Sequence, residues 1–192
     1  MKTLSIQIPT IIGRERQFDA LCEKLKKQAA PYGDEIEIIS IRDNKQMSIG
    51  AKRQLLYERA NALYSWQIDD DDDIANDAIE NIMKAARHGM DCITFMEKCV
   101  FEDYEQTSNF SINYKEWADN NDGYDHVRTP FHKTPIKTEL CLKVGVKDMR
   151  YGEDHQFARD IKKYLKTEYH ISDYVYIYRY KFEEHKSKFG IV

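Results

Sequence analysis

Five consecutive aspartates, Asp69 to Asp73, are the densest concentration of chemistry in the chain. Unit charges about 4 Å apart repel by roughly 1 kcal/mol even in bulk water, and by more in a cleft. A divalent cation offsets that repulsion, and hard carboxylate oxygens suit Mg²⁺ or Mn²⁺. The run follows Tyr64-Ser-Trp-Gln-Ile, which reads as a buried strand, and ligands of open α/β sheets gather at the carboxyl ends of strands. That placement points to metal and diphosphate, although the same acids would also cap the helix beginning near Ile79. A second acidic pair, Glu153-Asp154, follows Gly152. It reads either as a helix start or as a carboxylate set to take a proton from a hydroxyl. Lys52 and Arg53 fall in the first turns of a helix, where cations and the helix N-terminus together attract phosphate. Their plain alternative is solvated surface charge.

The remaining candidates sit in less regular sequence. His132 and Trp117 belong to a polar, aromatic excursion over residues 97–135, and long irregular segments in compact domains usually carry function. Trp117 has the ring to stack on a sugar or base. His88 and His170 read as structural or exposed. Tyr174, Tyr176, Tyr178 and Tyr180 recur at strand spacing and read as packing. A strip of Lys133, Lys137, Lys143 and Lys147 would suit a polyanion, or simply be solvated.

The elements that must position these groups alternate. Leu4, Ile6 and Ile8 mark a strand stopped by Pro9. Phe18 to Ala29 is helical in spacing, and Ile36 to Ile41 is a β-branched run suited to a buried strand. Ile49, Leu56, Ala60 and Leu63 mark a helix with Ser48 as N-cap. Strands near 3–8, 36–41, 64–69 and 92–98, with a helix at Ile79–Ala86 ended by Gly89, give a β-α-β-α-β-α-β order. That order predicts a mainly parallel central sheet with helices on both faces. A short strand over Phe110–Tyr114, structure from Ile136 to Val146, a helix through Phe157 and Ile161, and a final strand at Tyr174–Tyr180 complete one domain over residues 1–192.

Composition narrows the class. The 192 residues are 42% hydrophobic and 32% charged, with a formal net charge of -4, so no general basic field exists to hold nucleic acid. Cys22, Cys92, Cys99 and Cys141 show no CxxC spacing, which disfavours zinc and disulfides and predicts reduced thiols in the cytoplasm. No signal-peptide pattern and no membrane span of roughly 20 apolar residues is visible.

Four segments in chain order resemble the GT-A-fold glycosyltransferases, particularly the family 2-like group. Leu4-Ser-Ile-Gln-Ile-Pro-Thr followed by Arg14 resembles the opening strand and nucleotide-binding turn. Ile49-Gly-Ala-Lys-Arg-Gln resembles the helix before the DxD strand, and Tyr64 through Asp72 resembles that strand with its DxD signature. Tyr151-Gly-Glu-Asp-His-Gln-Phe resembles the Gly-Glu-Asp motif.

The resemblance covers residues 3–185. It implies a nucleotide-sugar-binding half over about 1–96 and an acceptor-binding half over about 97–192. It also implies a UDP-sugar donor, glucose by default, and Mn²⁺ or Mg²⁺. Pro9, Thr10 and Arg14 would meet the nucleotide, Asp43 would read the base, and Lys52 and Arg53 would attract phosphate. Asp69 would face the ribose, Asp71 would bind the metal, and Asp70 would support them. Asp154 would be the base of an inverting transfer, with Glu153 orienting the acceptor hydroxyl or the helix. His185 would be a C-terminal metal ligand, while His132 and Trp117 would face the acceptor. Small soluble relatives of phage or viral type act on glycans or on modified bases of DNA, so either acceptor class stays open. Two other classes also stay open: a metal-dependent nucleotidyltransferase or phosphohydrolase, and a noncatalytic nucleotide- or glycan-binding relative. The absence of a GxxxxGK[ST] loop counts against the former.

Overall fold

A computed structural model describes residues 1–180 of the chain. β1 (Lys2–Ile11), α1 (Glu15–Ala29), a 3-10 turn (Ala30–Glu35) and β2 (Ile36–Asp43) lead to α2 (Ile49–Arg59) and β3 (Ala62–Gln67). β2 and β3 pair parallel with opposite edges of β1. Crossovers of the usual hand to opposite edges put α1 and α2 on opposite faces of the sheet. The chain continues through β4 (Asp73–Ile74), α3 (Ala78–Ala86) and β5 (Cys92–Val100). Three strands of an extension follow: β6 (Glu105–Phe110), β7 (Ala118–Asn121) and β8 (Tyr124–Arg128). β9 (Ile136–Lys137), α4 (Thr138–Val144), α5 (Glu153–Ile161) and β10 (Glu168–Arg179) complete the described chain.

The five main strands β2, β1, β3, β5 and β10 run the same way, because the short β9 lies antiparallel to both β3 and β5. The expected mixed α/β architecture with a mostly parallel sheet is therefore the observed one. α1 packs on α3 against one face, and α2 packs with α4 and α5 against the other. β6 runs antiparallel to β5 and begins the extension β6–β8–β7. Trp66, Phe95, Phe110 and Phe131 form a buried chain of ring contacts at 6.5, 5.7 and 5.5 Å, which ties the extension to the parallel core. Centroid separations of this kind suit edge-to-face and tilted packing.

The two faces of β1 and β3 differ. Leu4, Ile6, Tyr64 and Trp66 share one buried face in register, while Ser5, Gln7, Ser65 and Gln67 share the other. Burying hydroxyls and amides is costly unless they are bonded, and here they are. Gln7 Nε2 donates to Ser65 Oγ (2.8 Å), Gln67 Nε2 donates to Gln7 Oε1 (2.9 Å), and Ser65 shares a hydrogen with Thr138 (2.9 Å). The polar face explains why α2 buries Lys52 and Arg53 beside Leu56 and Tyr57. The other helices bury mainly apolar stripes, such as Ile79, Ile82 and Met83 of α3.

Several sequence expectations shift. β1 runs through Pro9 to Ile11 instead of stopping there. Gln7 C=O faces β3 and accepts from Ile68 N–H (3.0 Å); by strand alternation the Pro9 nitrogen faces the same side, where the pairing of β3 has ended. Leu63 belongs to β3, and α2 stops at Arg59. Phe110 ends a strand instead of starting one, and β10 begins at Glu168, well before Tyr174. Both differences arise in segments whose residue types are mostly polar, Glu105–Asn109 before Phe110 and Glu168–Asp173 before Tyr174. No helix among the described residues is long and apolar enough to cross a membrane.

Candidate functional site

The Asp run forms a turn at the carboxyl end of β3, closed by Asp72 N–H donating to Asp69 C=O (3.1 Å). Side chains alternate around it. Asp69 and Asp71 are 27% and 22% exposed, whereas Asp70 and Asp72 are 3% and 2% exposed. Asp70 turns inward to accept from Thr10 Oγ1 (2.6 Å) and Arg14 Nη1 (2.7 Å). Asp71 lies 3.0 Å from the same Arg14 nitrogen. Asp72 accepts from Tyr176 Oη (2.8 Å) and from Arg179 N–H (3.0 Å), which anchors β10 beside the turn. Burial pushes the Asp72 carboxyl up to about 7; Lys133 opposes that shift, and Asp69 and Asp71 reinforce it. Asp73 takes Lys24 and Arg179.

Arg53 is the hub on the opposite side. It is buried, and its Nη2 donates to Asp69 Oδ1 (2.9 Å), its Nε to Glu153 Oε1 (3.2 Å) and its Nη1 to Gln67 Oε1 (3.3 Å). The Gln7–Gln67 relay beneath therefore fixes the guanidinium that fixes Asp69. Burial disfavours the Asp69 carboxylate, but Arg53 and His132 outweigh it and hold the group well below the usual range. Lys52 is likewise buried, donating to Thr10 C=O (2.9 Å) and pairing with Asp43. Burial raises the Asp43 carboxyl, yet Lys52 and the Met47 N–H (2.7 Å) bring it below its ordinary value. Both oxygens of Asp43 thus face the chain itself.

Glu153 and Asp154 open α5 after Gly152, whose φ of 75° is a left-handed value that favours glycine. Glu153 points inward to Arg53, while Asp154 is half-buried and lines the cleft. What brings α5 to Arg53 is a close approach at Gly50. Its N–H donates to Met149 C=O (3.1 Å), and a Cβ there would lie 2.0 Å from the Lys147 carbonyl oxygen. Val146 N–H donates to Gln54 Oε1 (2.8 Å), and Ser48 Oγ bonds Asp148. Ser48 also caps α2 as expected, accepting from Ala51 N–H (3.0 Å).

Pro9, Thr10, Arg14, Lys52, Arg53, Asp69, Asp70 and Asp71 line one cleft of about 1080 Å³ with Glu153, Asp154, His132 and Trp117. Asp43 does not line it, and His185 lies outside the described residues. His132 is buried with neither ring nitrogen hydrogen-bonded, and its Nε2 is 3.6 Å from Asp69 Oδ2, too long for a hydrogen bond. Burial and then Arg53 lower its pKa, so the ring is neutral near pH 7. Trp117 Nε1 donates to Thr129 Oγ1 (3.1 Å), and its ring packs on Phe131 and His155.

The structure also gives other places to groups that the sequence suggests as a basic strip or as packing. Lys133 is buried in the cleft against Glu97 (2.7 Å), and Lys137 pairs with Asp91 (3.2 Å). The four lysines therefore do not form one exposed basic strip. Tyr178 and Tyr180 line the cleft, because a bulge between Tyr174 and Tyr176 re-aims the end of β10. Polar residues inside buried strands, Gln7 and Gln67, were the one visible signal of the relay. Nothing local marks Glu97 and Lys133 as a pair.

Mn²⁺ or Mg²⁺ can be tested against these donors. Among the described residues no three His, Cys, Asp or Glu side chains converge as a ready cage. Mg²⁺ commonly takes only one or two protein carboxylates and completes its shell with substrate phosphates. The accessible pair Asp69 and Asp71 fits that kind of site. Charge argues the same way: among the described residues, Asp69, Asp70, Asp71 and Glu153 pair with Arg14 and Arg53, four carboxylates to two guanidinium groups. A diphosphate entering that excess of negative charge needs a cation beside it.

No family model matches the chain, and no curated protein matches it in sequence. Solved structures do match. S. aureus TarS 1-349 in complex with UDP-GlcNAc superposes with a TM-score of 0.69 at 16% identity, covering 97% of this chain and 61% of that one. The UDP complex of the same segment gives 0.67 at 16%, covering 97% and 63%. The mannosyltransferase PcManGT from Pyrobaculum calidifontis, with GDP-Man and Mn²⁺, gives 0.54 at 11%, covering 91% and 56%. This chain thus spans less than two thirds of the length of each of these structures. At such identities the likeness speaks for the backbone alone, and that backbone is the GT-A-like glycosyltransferase fold.

Proposed function

We propose that this protein transfers a hexosyl group, glucose by default, from a UDP-sugar to an acceptor hydroxyl. The observation that carries the reading is the meeting of the Asp69–Asp71 turn and Asp154 in one cleft, on a fold shared with structures that hold UDP-GlcNAc and GDP-Man. Asp69 and Asp71 would hold Mn²⁺ or Mg²⁺ together with diphosphate oxygens, and the ion when bound neutralises charge on the departing diphosphate. Pro9, Thr10 and Arg14 border the nucleotide end, where Thr10 and Arg14 also hold Asp70 inward. Asp154 takes the proton of the acceptor hydroxyl as that oxygen bonds to the anomeric carbon. The bond from that carbon to the diphosphate breaks in the same displacement, and UDP carries away the electron pair. Glu153 acts through Arg53, keeping the guanidinium on Asp69.

Calorimetry of UDP with and without Mn²⁺, followed by a hydrolysis screen over nucleotide sugars, tests this directly. Tight UDP binding only with the metal, and release of UDP from one hexose donor, are expected. Asp71→Ala removes an accessible carboxylate and no core contact, so it should abolish the Mn²⁺-dependent binding with Tm unchanged. A variant that binds UDP and Mn²⁺ like the parent would overturn the metal assignment.

A further inference from the structure

Strand register fixes a platform in the second half of the cleft. Glu97 pairs with Ser108, Ser108 with His126, and His126 with Asp119 across β5, β6, β8 and β7. Directly paired residues point to the same face, so these four side chains form one row. Cys99, paired with Gln106 and with Tyr178, forms the next row on that face. Glu97, Cys99, Ser108, His126 and Tyr178 all line the cleft.

The charges of this platform are balanced locally. Lys133 Nζ sits 2.7 Å from Glu97 and 4.1 Å above the Tyr178 ring. Asp119 takes both His126 Nδ1 (2.8 Å) and Arg128 Nη2 (2.9 Å), while Arg128 Nη1 donates to Ala118 C=O (2.8 Å). His126 Nε2 meets Gln106 Oε1 at 3.0 Å. Aromatic rings flank the rows: Tyr178 and Phe101, the latter stacked on Tyr104 at 4.5 Å, and Trp117 with Arg128 over its face at 5.4 Å.

We infer that this platform binds an uncharged saccharide as the acceptor, in preference to a nucleic acid or another polyanion. A polyanion is held by cations that are free to replace its counterions, and the cations here are already matched by carboxylates. Hydroxyl and imidazole groups between aromatic rings suit a molecule with many hydroxyls and apolar C–H faces. The inference rests on the transferase reading for the word acceptor, but the binding itself does not need turnover.

Ligand-observed NMR on the whole chain tests it, with maltose, cellobiose and diacetylchitobiose as neutral probes and a single-stranded oligo-dT as the polyanion. At least one neutral disaccharide should bind, with no loss between about 50 and 200 mM salt. Tyr178→Ala should weaken that binding roughly fivefold or more, and Tyr178→Phe should keep most of it. Oligo-dT binding that falls steeply with salt while all three sugars stay unbound overturns the inference. So does sugar binding unchanged in both Tyr178→Ala and Trp117→Ala. A UDP–Mn²⁺ titration on the same samples separates the readings: absent sugar binding with UDP binding intact defeats the platform alone, whereas sugar binding without UDP binding defeats the transferase reading alone.

Discussion

The two ends of the cleft handle charge in opposite ways. Around the Asp69–Asp73 turn and the start of α5, among the described residues, the carboxylates outnumber Arg14, Lys24, Arg53, Lys133 and Arg179, the cations that hold them, and Asp69, Asp71 and Asp73 reach solvent. On the platform of β5, β6, β7 and β8, the two carboxylates of the row, Glu97 and Asp119, each carry their own lysine, arginine or histidine. Clustered like charge is tolerated in a folded protein where a ligand or ion completes it, and it marks function for that reason. Balanced charge asks for no ionic partner. The contrast assigns the ionic part of the chemistry to one end and recognition by shape and hydroxyl bonding to the other.

The strongest way to break that assignment is at Asp154. Asp154→Asn keeps the shape and the oxygen that accepts His155 N–H (2.7 Å) but cannot take a proton. General-base help is worth typically about 10²–10⁴-fold, so turnover should fall by roughly that factor with donor affinity nearly unchanged. That pattern marks an interaction used in the transition state and not in ground-state binding. The product anomer should be inverted, which NMR of the product reads. A retained anomer would defeat the single displacement, and lost UDP affinity at unchanged turnover would move Asp154 to the nucleotide.

A smaller effect tests how the ionic end is assembled. Gly50→Ala drives a Cβ to 2.0 Å from the Lys147 carbonyl oxygen and 2.9 Å from the Met149 nitrogen, so backbone must move. Overpacking of this kind costs about 1–3 kcal/mol, or about 2–4 °C in Tm per kcal/mol at this chain length. Turnover should fall with it, since the displaced segment leads into Asp154. An unchanged Tm would mean that the 147–149 segment yields freely and does not set the site.

The ionic end was largely legible in the sequence, and the platform was not. β1, β2 and β3 announce themselves through local apolar runs, and their carboxyl ends put the Asp run in place without knowledge of distant partners. The register within the run needed the structure, because five identical residues differ only in which side chains the turn buries. Arg53 was read as a phosphate-binding cation, but its partners Gln67, Asp69 and Glu153 lie up to 100 residues away. The platform depends on pairings such as Ser108 with His126 and on Lys133 reaching back to Glu97. Its strands are short and polar, as Ala118-Asp-Asn-Asn of β7 makes plain, so neither periodicity nor propensity points to them.

Asp72 sharpens the contrast further, because it is a buried carboxylate of the ionic end whose burial raises its pKa. Its carboxyl titrates near 7 in the folded protein and near 3.9 in an unfolded chain. Between those values the native state binds more protons, so its contribution is full below the lower pKa and is lost as pH rises to about 7. Asp72→Asn cannot ionise and retains an acceptor for the Arg179 N–H. In metal-free buffer its Tm should gain on the parent from pH 5 to pH 8, by about 2–3 kcal/mol in stability. Parallel profiles would mean that Asp72 stays ionised throughout.

The smallest expected effect tests the balanced end. Asp119 is mostly exposed and holds His126 and Arg128 together, and those two groups keep its carboxyl below the ordinary value. Exposed pairs contribute little to stability, about 0–1 kcal/mol, so Asp119→Asn should leave Tm nearly unchanged. It should instead release a cation on the platform. If local pairing is what keeps polyanions away, the variant gains weak oligo-dT binding that the parent lacks. One released phosphate contact gives a slope of log affinity against log salt of about −0.7 for a single strand. Neutral disaccharides should bind the variant and the parent alike, because they use hydroxyl and ring contacts instead of that charge. A parent that already binds oligo-dT with a slope several times steeper would show that the cations of this face are available despite their carboxylates. The difference between the two ends would then lie in shape and not in charge.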